Sequence, residues 1–205
     1  MFWAFFMIAA IMKKINLLLL FLCFNFLFSQ KETYFPAKYV LKNSKDTVKT
    51  QILNIGLYDN EEFSPATYIR QITVLNPSGK KLKVKENDIK YLEIRDLKKV
   101  KRTFVDSRSV LSKDSGLVQV MYSGNKTQWY RKSFHNGPIY TYETKNTDYL
   151  IMRKNKSIHE IYFRAPGAKA QLKEIFGAYS DLSLLIDGMV EDNDLIKILE
   201  RYDKK

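Results

Sequence analysis

Hydrophobic and polar residues alternate with a period of two along most of the chain between residues 39 and 163. Such alternation is typical of strands with one buried and one exposed face. In "LKVK" (82–85), apolar residues and lysines alternate strictly. This pattern predicts an edge strand whose lysines discourage pairing with other chains.

Short polar segments separate the strands and predict hairpins. The turn "NPSG" (76–79) joins "QITV" to "LKVK", with Pro and Gly at the second and fourth positions of a type I turn. Three more hairpins are expected around "KNSKD" (42–46), "SGNK" (123–126) and "KNKS" (154–157). Because short turns join these neighbours, the sheet should be antiparallel, with about eight strands.

The period changes after "APG" (165–167), where apolar residues fall on one face of a helix between Ala168 and Tyr179. A short helix is expected around 182–186. A last helix should carry Leu195 to Tyr202 on its apolar face, with its start capped by a residue at 192–194. We therefore predict an α+β fold in one domain, residues 31–205, with strands over 31–164 followed by two or three helices packed on them over 165–205.

The first thirty residues have the pattern of an export signal. Lys13 and Lys14 precede 14 uncharged, mostly apolar residues, which as a helix would rise only about 21 Å. That is short of the roughly 30 Å hydrocarbon core of a bilayer. We interpret residues 1–30 as the signal-peptide region and expect translation to start at Met12. The alternatives are an uncleaved membrane anchor and lipid attachment at Cys23.

The composition of residues 31–205 narrows the chemistry. This part has no cysteine, which excludes disulfides, thiolate metal sites and cysteine nucleophiles. Residues 31–164 hold 26 basic and 14 acidic side chains, whereas residues 165–205 hold 6 and 8. The basic stretch 80–102 is therefore either a surface for an anionic partner or a solvated strand face.

Several segments together resemble a broad group of small exported proteins of the Bacteroidota: "YVLKNSKDTVKTQI", "LKVKENDIKYLEI", "GLVQVMYS", "YLIMRKNKSIHEI" and "LIKILERYD". The resemblance covers residues 34–203. Lys45 replaces the glycine usual in the first turn of that group, and Asp203 stands where asparagine is common. The resemblance implies export and an α+β fold, and it implies no catalytic residue.

The stretch "QWYRKSFHNGPIYTY" (128–142) is rich in aromatic residues and contains the candidate ligand-binding residues. These could line a groove that stacks sugar rings or bases, and they are Trp129, Tyr130, Arg131, His135 and Tyr140. The alternative is a strand pair whose aromatic side chains form core and cross-strand contacts.

The sequence predicts neither a metal nor a cofactor. Two histidines without cysteine make a zinc site improbable, and "DGMVEDND" (187–194) lacks the ligand spacing of a calcium loop. Phosphate-loop, nucleophile-elbow and His-Glu-x-x-His motifs do not occur.

We therefore expect an exported, non-enzymatic binding or accessory module of the periplasm or cell envelope, or a secreted one. Its partner would be an anionic envelope component or a glycan, and export argues against a nucleic acid. One alternative is an envelope-glycan hydrolase that uses carboxylates in a cleft between sheet and helices. The other is a membrane-anchored accessory protein that keeps its N-terminus.

Overall fold

The computed structural model describes residues 32–56, 61–113, 116–138, 141–163 and 165–205. The predicted signal peptide, anchor and lipidation site lie outside these residues. Residues Thr33–Lys205 form one structural unit. Within the described part of the chain, no helix is both long and apolar enough to cross a bilayer.

The predicted α+β fold, with an N-terminal antiparallel sheet followed by helices, is confirmed. The described residues form ten strands, rather than about eight: β1 (Tyr34–Leu41), β2 (Thr47–Leu53), β3 (Gln71–Leu75), β4 (Lys81–Lys85), β5 (Ile89–Arg95), β6 (Lys101–Asp106), β7 (Leu117–Ser123), β8 (Thr127–His135), β9 (Thr144–Met152) and β10 (Ser157–Ile161). They build one sheet in the order β10-β9-β8-β7-β6-β5-β1-β2-β3-β4.

Strands β5 and β6 are the pair that the hairpin signals did not predict. Asp96 closes the turn between them, because its carboxylate accepts a hydrogen bond from the Val100 amide at 2.8 Å and binds Arg102. The four hairpins that were predicted are all present. Strand β4, which contains "LKVK", lies at one edge of the sheet as expected.

The sheet is open but curls on itself. Strands β4 and β7 are separated by five strands, yet Glu86, directly after β4, accepts a hydrogen bond from the Leu117 amide of β7 at 2.7 Å. The Tyr68 hydroxyl accepts another from the Ser133 amide of β8 at 3.1 Å. The curl encloses a core built from residues of β1, β2, β3, β5, β6 and β7. The segment before β3 inserts Phe63 and Tyr68 into this core.

Four helices accompany the sheet: α1 (Arg108–Leu111), α2 (Ala168–Phe176), α3 (Ser180–Gly188) and α4 (Asp192–Asp203). Helices α2 to α4 cover β8 and β9 with a second core that includes Trp129, Leu150 and Phe176. The last two helices begin differently from the sequence prediction. Tyr179 was expected on the apolar face of α2, but α2 ends at Phe176 and Tyr179 is the residue before α3. Glu191, rather than a residue at 192–194, caps α4 in a reciprocal capping box with Asp194.

Candidate functional site

The candidate residues of the aromatic stretch lie at separate places. Along β8, Trp129 and Arg131 point to one face and Tyr130 to the other. Trp129 is buried under the helices, whereas Tyr130 is buried in a third cluster with Val118 and Tyr149. His135 is half-buried at the far end of β8, and Tyr140 lies outside the described residues. The structure therefore brings together only Trp129 and Arg131.

Arg131 is the centre of a buried ion cluster. Its Nε donates to Asp148 Oδ1 at 2.8 Å, and Trp129 Nε1 donates to the same oxygen at 2.8 Å. Its Nη2 donates to Asp192 Oδ1 at 2.9 Å. The guanidinium lies 5.1 Å from the Trp129 ring centroid, within reach of a cation–π contact.

The electrostatics of this cluster follow from burial and pairing. Burial raises the pKa of Asp148, and the hydrogen bonds from Arg131 and Trp129 oppose that shift. Burial alone would lower the pKa of Arg131, but hydrogen bonds to Asp192 and Asp148 outweigh it and raise that pKa. Both carboxylates are thus occupied by one cation.

The cluster joins secondary-structure elements. Arg131 and Asp148 are directly opposite each other on β8 and β9, and Asp192 is the first residue of α4. On either side lie cavities of about 550 and 610 Å³, which share Phe163 and Ala165 in their walls. Asp148 lines the first and Asp192 the second. Because Arg131 holds both acids, the arrangement suits anchoring of α4 better than proton transfer.

A second candidate lies on the outer face of the curled part of the sheet. The inner face carries Phe35, Ile52, Leu92 and other core residues, so the alternate positions point outward. Seven outward positions on β1, β2, β4, β5 and β6 are basic: Lys38, Lys49, Lys81, Lys83, Lys85, Arg95 and Lys101. We refer to these seven residues as the basic face.

Almost no negative charge balances the basic face. The described strands β1 to β6 contain two acidic residues, Glu93 and Asp106. Asp106 is two positions after the inward-pointing Phe104 and therefore points inward, so only Glu93 points outward. Six of the seven cations are exposed, and Lys38 is half-buried. The basic face, with seven cations and one acid, therefore carries six of the twelve excess positive charges of residues 31–164.

Two pairs of like charges face each other across neighbouring strands. Lys38 on β1 is directly opposite Lys49 on β2, and Arg95 on β5 is directly opposite Lys101 on β6. Side chains directly opposite in an antiparallel pair have Cβ atoms about 4.5–5.5 Å apart, and like charges there destabilise the sheet. Edge protection explains the lysines of β4, but these pairs lie inside the sheet.

A shallow depression of about 270 Å³ lies at the centre of the basic face. Its wall contains Lys38, Lys49, Arg95, Glu93 and Pro36, together with Ala37 and Thr50. Glu93 is the internal counter-ion there, 3.2 Å from Lys38 Nζ and 2.8 Å from the Tyr91 hydroxyl that donates to it. Burial opposes ionisation, but Tyr91 and Lys38 together lower the pKa of Glu93.

Most of this surface falls within a stretch that the sequence already marks as basic. The basic stretch 80–102 contains five of the seven residues, the lysines of β4 together with Arg95 and Lys101, but Lys38 and Lys49 lie 31 or more positions before it. The alternating lysines of "LKVK" gave a signal for β4 only. The meeting of Lys38 and Lys49 with Arg95 depends on the long-range pairing of β1 with β5, which no local pattern reveals.

Comparisons of the chain with protein-family models, with curated proteins and with solved structures find no match. The resemblance to exported proteins of the Bacteroidota accordingly stays a prediction. Among the described residues, no group of three or more His, Cys, Asp or Glu side chains is placed to hold a metal ion. The basic face is therefore the feature of the described residues that bears most directly on function.

Proposed function

We propose that this protein is an exported, non-enzymatic binding module of the cell envelope, and that its basic face binds an anionic partner. The observation that carries the proposal is the opposition of Lys38 to Lys49 and of Arg95 to Lys101 inside the sheet. Export is proposed from the signal-like pattern of residues 12–30.

The physical reason is that such pairs weaken the sheet, and that Glu93 is the one acid at the outward positions of the described strands β1 to β6. Two lysines directly across a strand pair repel each other, and a bound anion replaces repulsion by attraction. Seven cations on one surface also raise the local concentration of polyanions and speed their association. An exposed basic face of this kind suits reversible binding to an extended anionic partner.

Retention on a heparin column, with elution by increasing salt, tests the proposal. The Lys38→Glu/Lys49→Glu variant should elute at distinctly lower salt than the wild type. The matched control is Lys154→Glu/Lys156→Glu, which makes the same charge change in the exposed turn between β9 and β10, near the opposite sheet edge.

The control separates a defined surface from general attraction. If both double variants lose the same retention, net charge alone accounts for binding and the basic face has no special role. If the wild type is not retained at low salt, the proposed function is wrong. Circular dichroism of each variant confirms that the sheet is formed.

A further inference from the structure

The central depression of the basic face collects cations from three adjacent strands. Lys49 comes from β2, Lys38 from β1 and Arg95 from β5, and all three line the same concavity. Glu93, also in its wall, neutralises one of these charges through its contact with Lys38. The depression therefore keeps an excess of two positive charges.

We infer that this depression is a binding site for a phosphate group, an inference that rests on the proposed function and names its ligand chemistry. A phosphate monoester carries about −1.5 to −2 charges and three strong acceptor oxygens. These match the two excess charges and the donors of three strands. A carboxylate has a single charge and two oxygens, so it would leave one cation uncompensated.

Arginine and lysine play different parts in this site. The guanidinium of Arg95 offers a planar fork that binds two phosphate oxygens together. The ammonium groups of Lys38 and Lys49 act as mobile point charges and can follow the remaining oxygens. Lys101, opposite Arg95 on the next strand, does not line the depression and is not counted in its charge.

Glu93 competes with the ligand for Lys38. Its carboxylate is held 3.2 Å from the Lys38 ammonium, so phosphate must displace it or share the lysine. Glu93→Gln removes this competitor with almost no change in shape. Because ion pairs that remain partly open to solvent are weak, the expected gain in phosphate affinity is about two- to fivefold.

The test is a titration of the isotope-labelled protein with inorganic phosphate, followed by the NMR signals of the backbone amides. The signals of Lys38, Lys49 and Arg95 should shift together and saturate. The variant Lys38→Gln/Lys49→Gln/Arg95→Gln should bind phosphate at least about tenfold more weakly. The matched variant Lys81→Gln/Lys83→Gln/Lys85→Gln loses three cations from β4 and should keep the wild-type affinity.

Two further binding experiments, the two arms of the test, distinguish a lipid headgroup from a soluble phosphate as the ligand. Vesicles containing phosphatidylglycerol present it as a lipid headgroup, and long-chain polyphosphate presents it in solution. Binding that depends on Lys38, Lys49 and Arg95 in either arm supports the site, and the tighter arm identifies the source. Glu93→Gln should strengthen binding in that arm, whereas the control Glu143→Gln, an exposed acid just before β9, should not.

The two proposals fail in different ways. If heparin retains the protein but phosphate moves no amide signal of the depression, or if both triple variants lose affinity equally, the phosphate site is wrong and the proposed function stands. If the protein binds no polyanion at low salt, both are wrong.

Discussion

At the scale of single residues, Asp203 shows how one side chain can join distant parts of the chain. Its carboxylate accepts hydrogen bonds from the Tyr122 hydroxyl at 3.0 Å, the Thr127 hydroxyl at 3.0 Å and the Lys126 amide at 3.2 Å. These groups surround the turn between β7 and β8. The end of α4 is therefore attached to the sheet by three bonds to one residue.

Gly124 is in that turn because a side chain would meet the Asp203 carboxylate. A Cβ built at Gly124 falls on Asp203 Oδ2 and lies 2.6 Å from the Tyr122 hydroxyl. We predict that Gly124→Ala displaces Asp203 and lowers the free energy of unfolding by about 1–3 kcal/mol, since the buried Thr127 hydroxyl and the half-buried Tyr122 hydroxyl lose their acceptor. Urea unfolding measures this change.

The control is Gly188→Ala at the end of α3, where a Cβ meets no atom within 4 Å. Alanine favours helix there, so stability should stay equal or rise slightly. Equal losses at both glycines would contradict the role given to Asp203.

The raised pKa of Tyr122 should make the free energy of unfolding fall in alkaline solution. Burial, with Asp203 close by, raises the pKa of Tyr122 to about 12, while the pKa of tyrosine in the unfolded chain is about 10. A raised pKa contributes stability that is complete below pH 10 and is lost as pH rises toward 12. In Tyr122→Phe, the free energy of unfolding should fall less steeply between those values. An unchanged slope would show that other groups dominate.

Replacing Lys49 by an acid should raise the stability of the fold and weaken binding to a polyanion. Lys49→Glu places a carboxylate opposite Lys38, so repulsion becomes attraction and the free energy of unfolding should rise by about 0.2–1 kcal/mol. The same change should weaken retention on heparin. Thermal unfolding and the heparin column, run on one preparation, check both. Loss of stability together with loss of retention would point to a damaged fold instead.

At the scale of elements, α4 is attached to the sheet at both ends. Its first residue, Asp192, binds Arg131, and its last, Asp203, binds the turn between β7 and β8. Between these ends, Leu195, Ile198 and Leu199 are buried against the sheet. The two polar anchors set the position of the helix, and the apolar stripe supplies most of its stabilisation.

The ion cluster predicts a ranking of two variants. Asp192→Ala leaves Arg131 paired with Asp148, so we expect a loss of about 1–2 kcal/mol. Asp148→Ala leaves Trp129 without its acceptor and a buried guanidinium with one partner, so we expect about 3–5 kcal/mol. Guanidinium unfolding at pH 7 gives both values. The reverse ranking would place the main role of Arg131 at the helix rather than within the sheet.

At the scale of the whole molecule, charge and architecture coincide. The strands of the curled part carry the basic face, while residues 165–205, which form α2 to α4, have two more acidic than basic side chains. Positive charge is therefore in excess on the curled part of the sheet, and negative charge is in slight excess on the C-terminal helices. An anionic partner should approach from the side of the curled sheet.

Salt should act on folding and binding in opposite directions. Screening weakens the repulsion between Lys38 and Lys49 and between Arg95 and Lys101, so Tm should rise modestly between about 10 and 150 mM sodium chloride. The same screening should weaken retention by polyanions. Calorimetry and heparin elution measure the two effects. A Tm that falls with salt would show that attractive ion pairs outweigh the like-charge pairs.

Much of the fold could be read from local patterns. The lysine alternation of "LKVK" marked an edge strand, turn residues such as Pro77 and Gly79 marked hairpins, and a change of period after Gly167 marked the helices. These signals depend on neighbours within a few residues, which the chain contains directly. They also identified the N-terminal part as strongly basic.

Only the tertiary structure decided where the candidate residues meet. The pairing of β1 with β5 places Lys38 and Lys49 beside Arg95, and the helices cover Trp129 while Tyr130 packs on the other face. Periodicity shows that successive residues of a strand point to opposite faces of the sheet. It does not show which strands become neighbours or what covers each face. Those depend on contacts between distant segments, and they make the basic strands one surface and Arg131 a buried anchor.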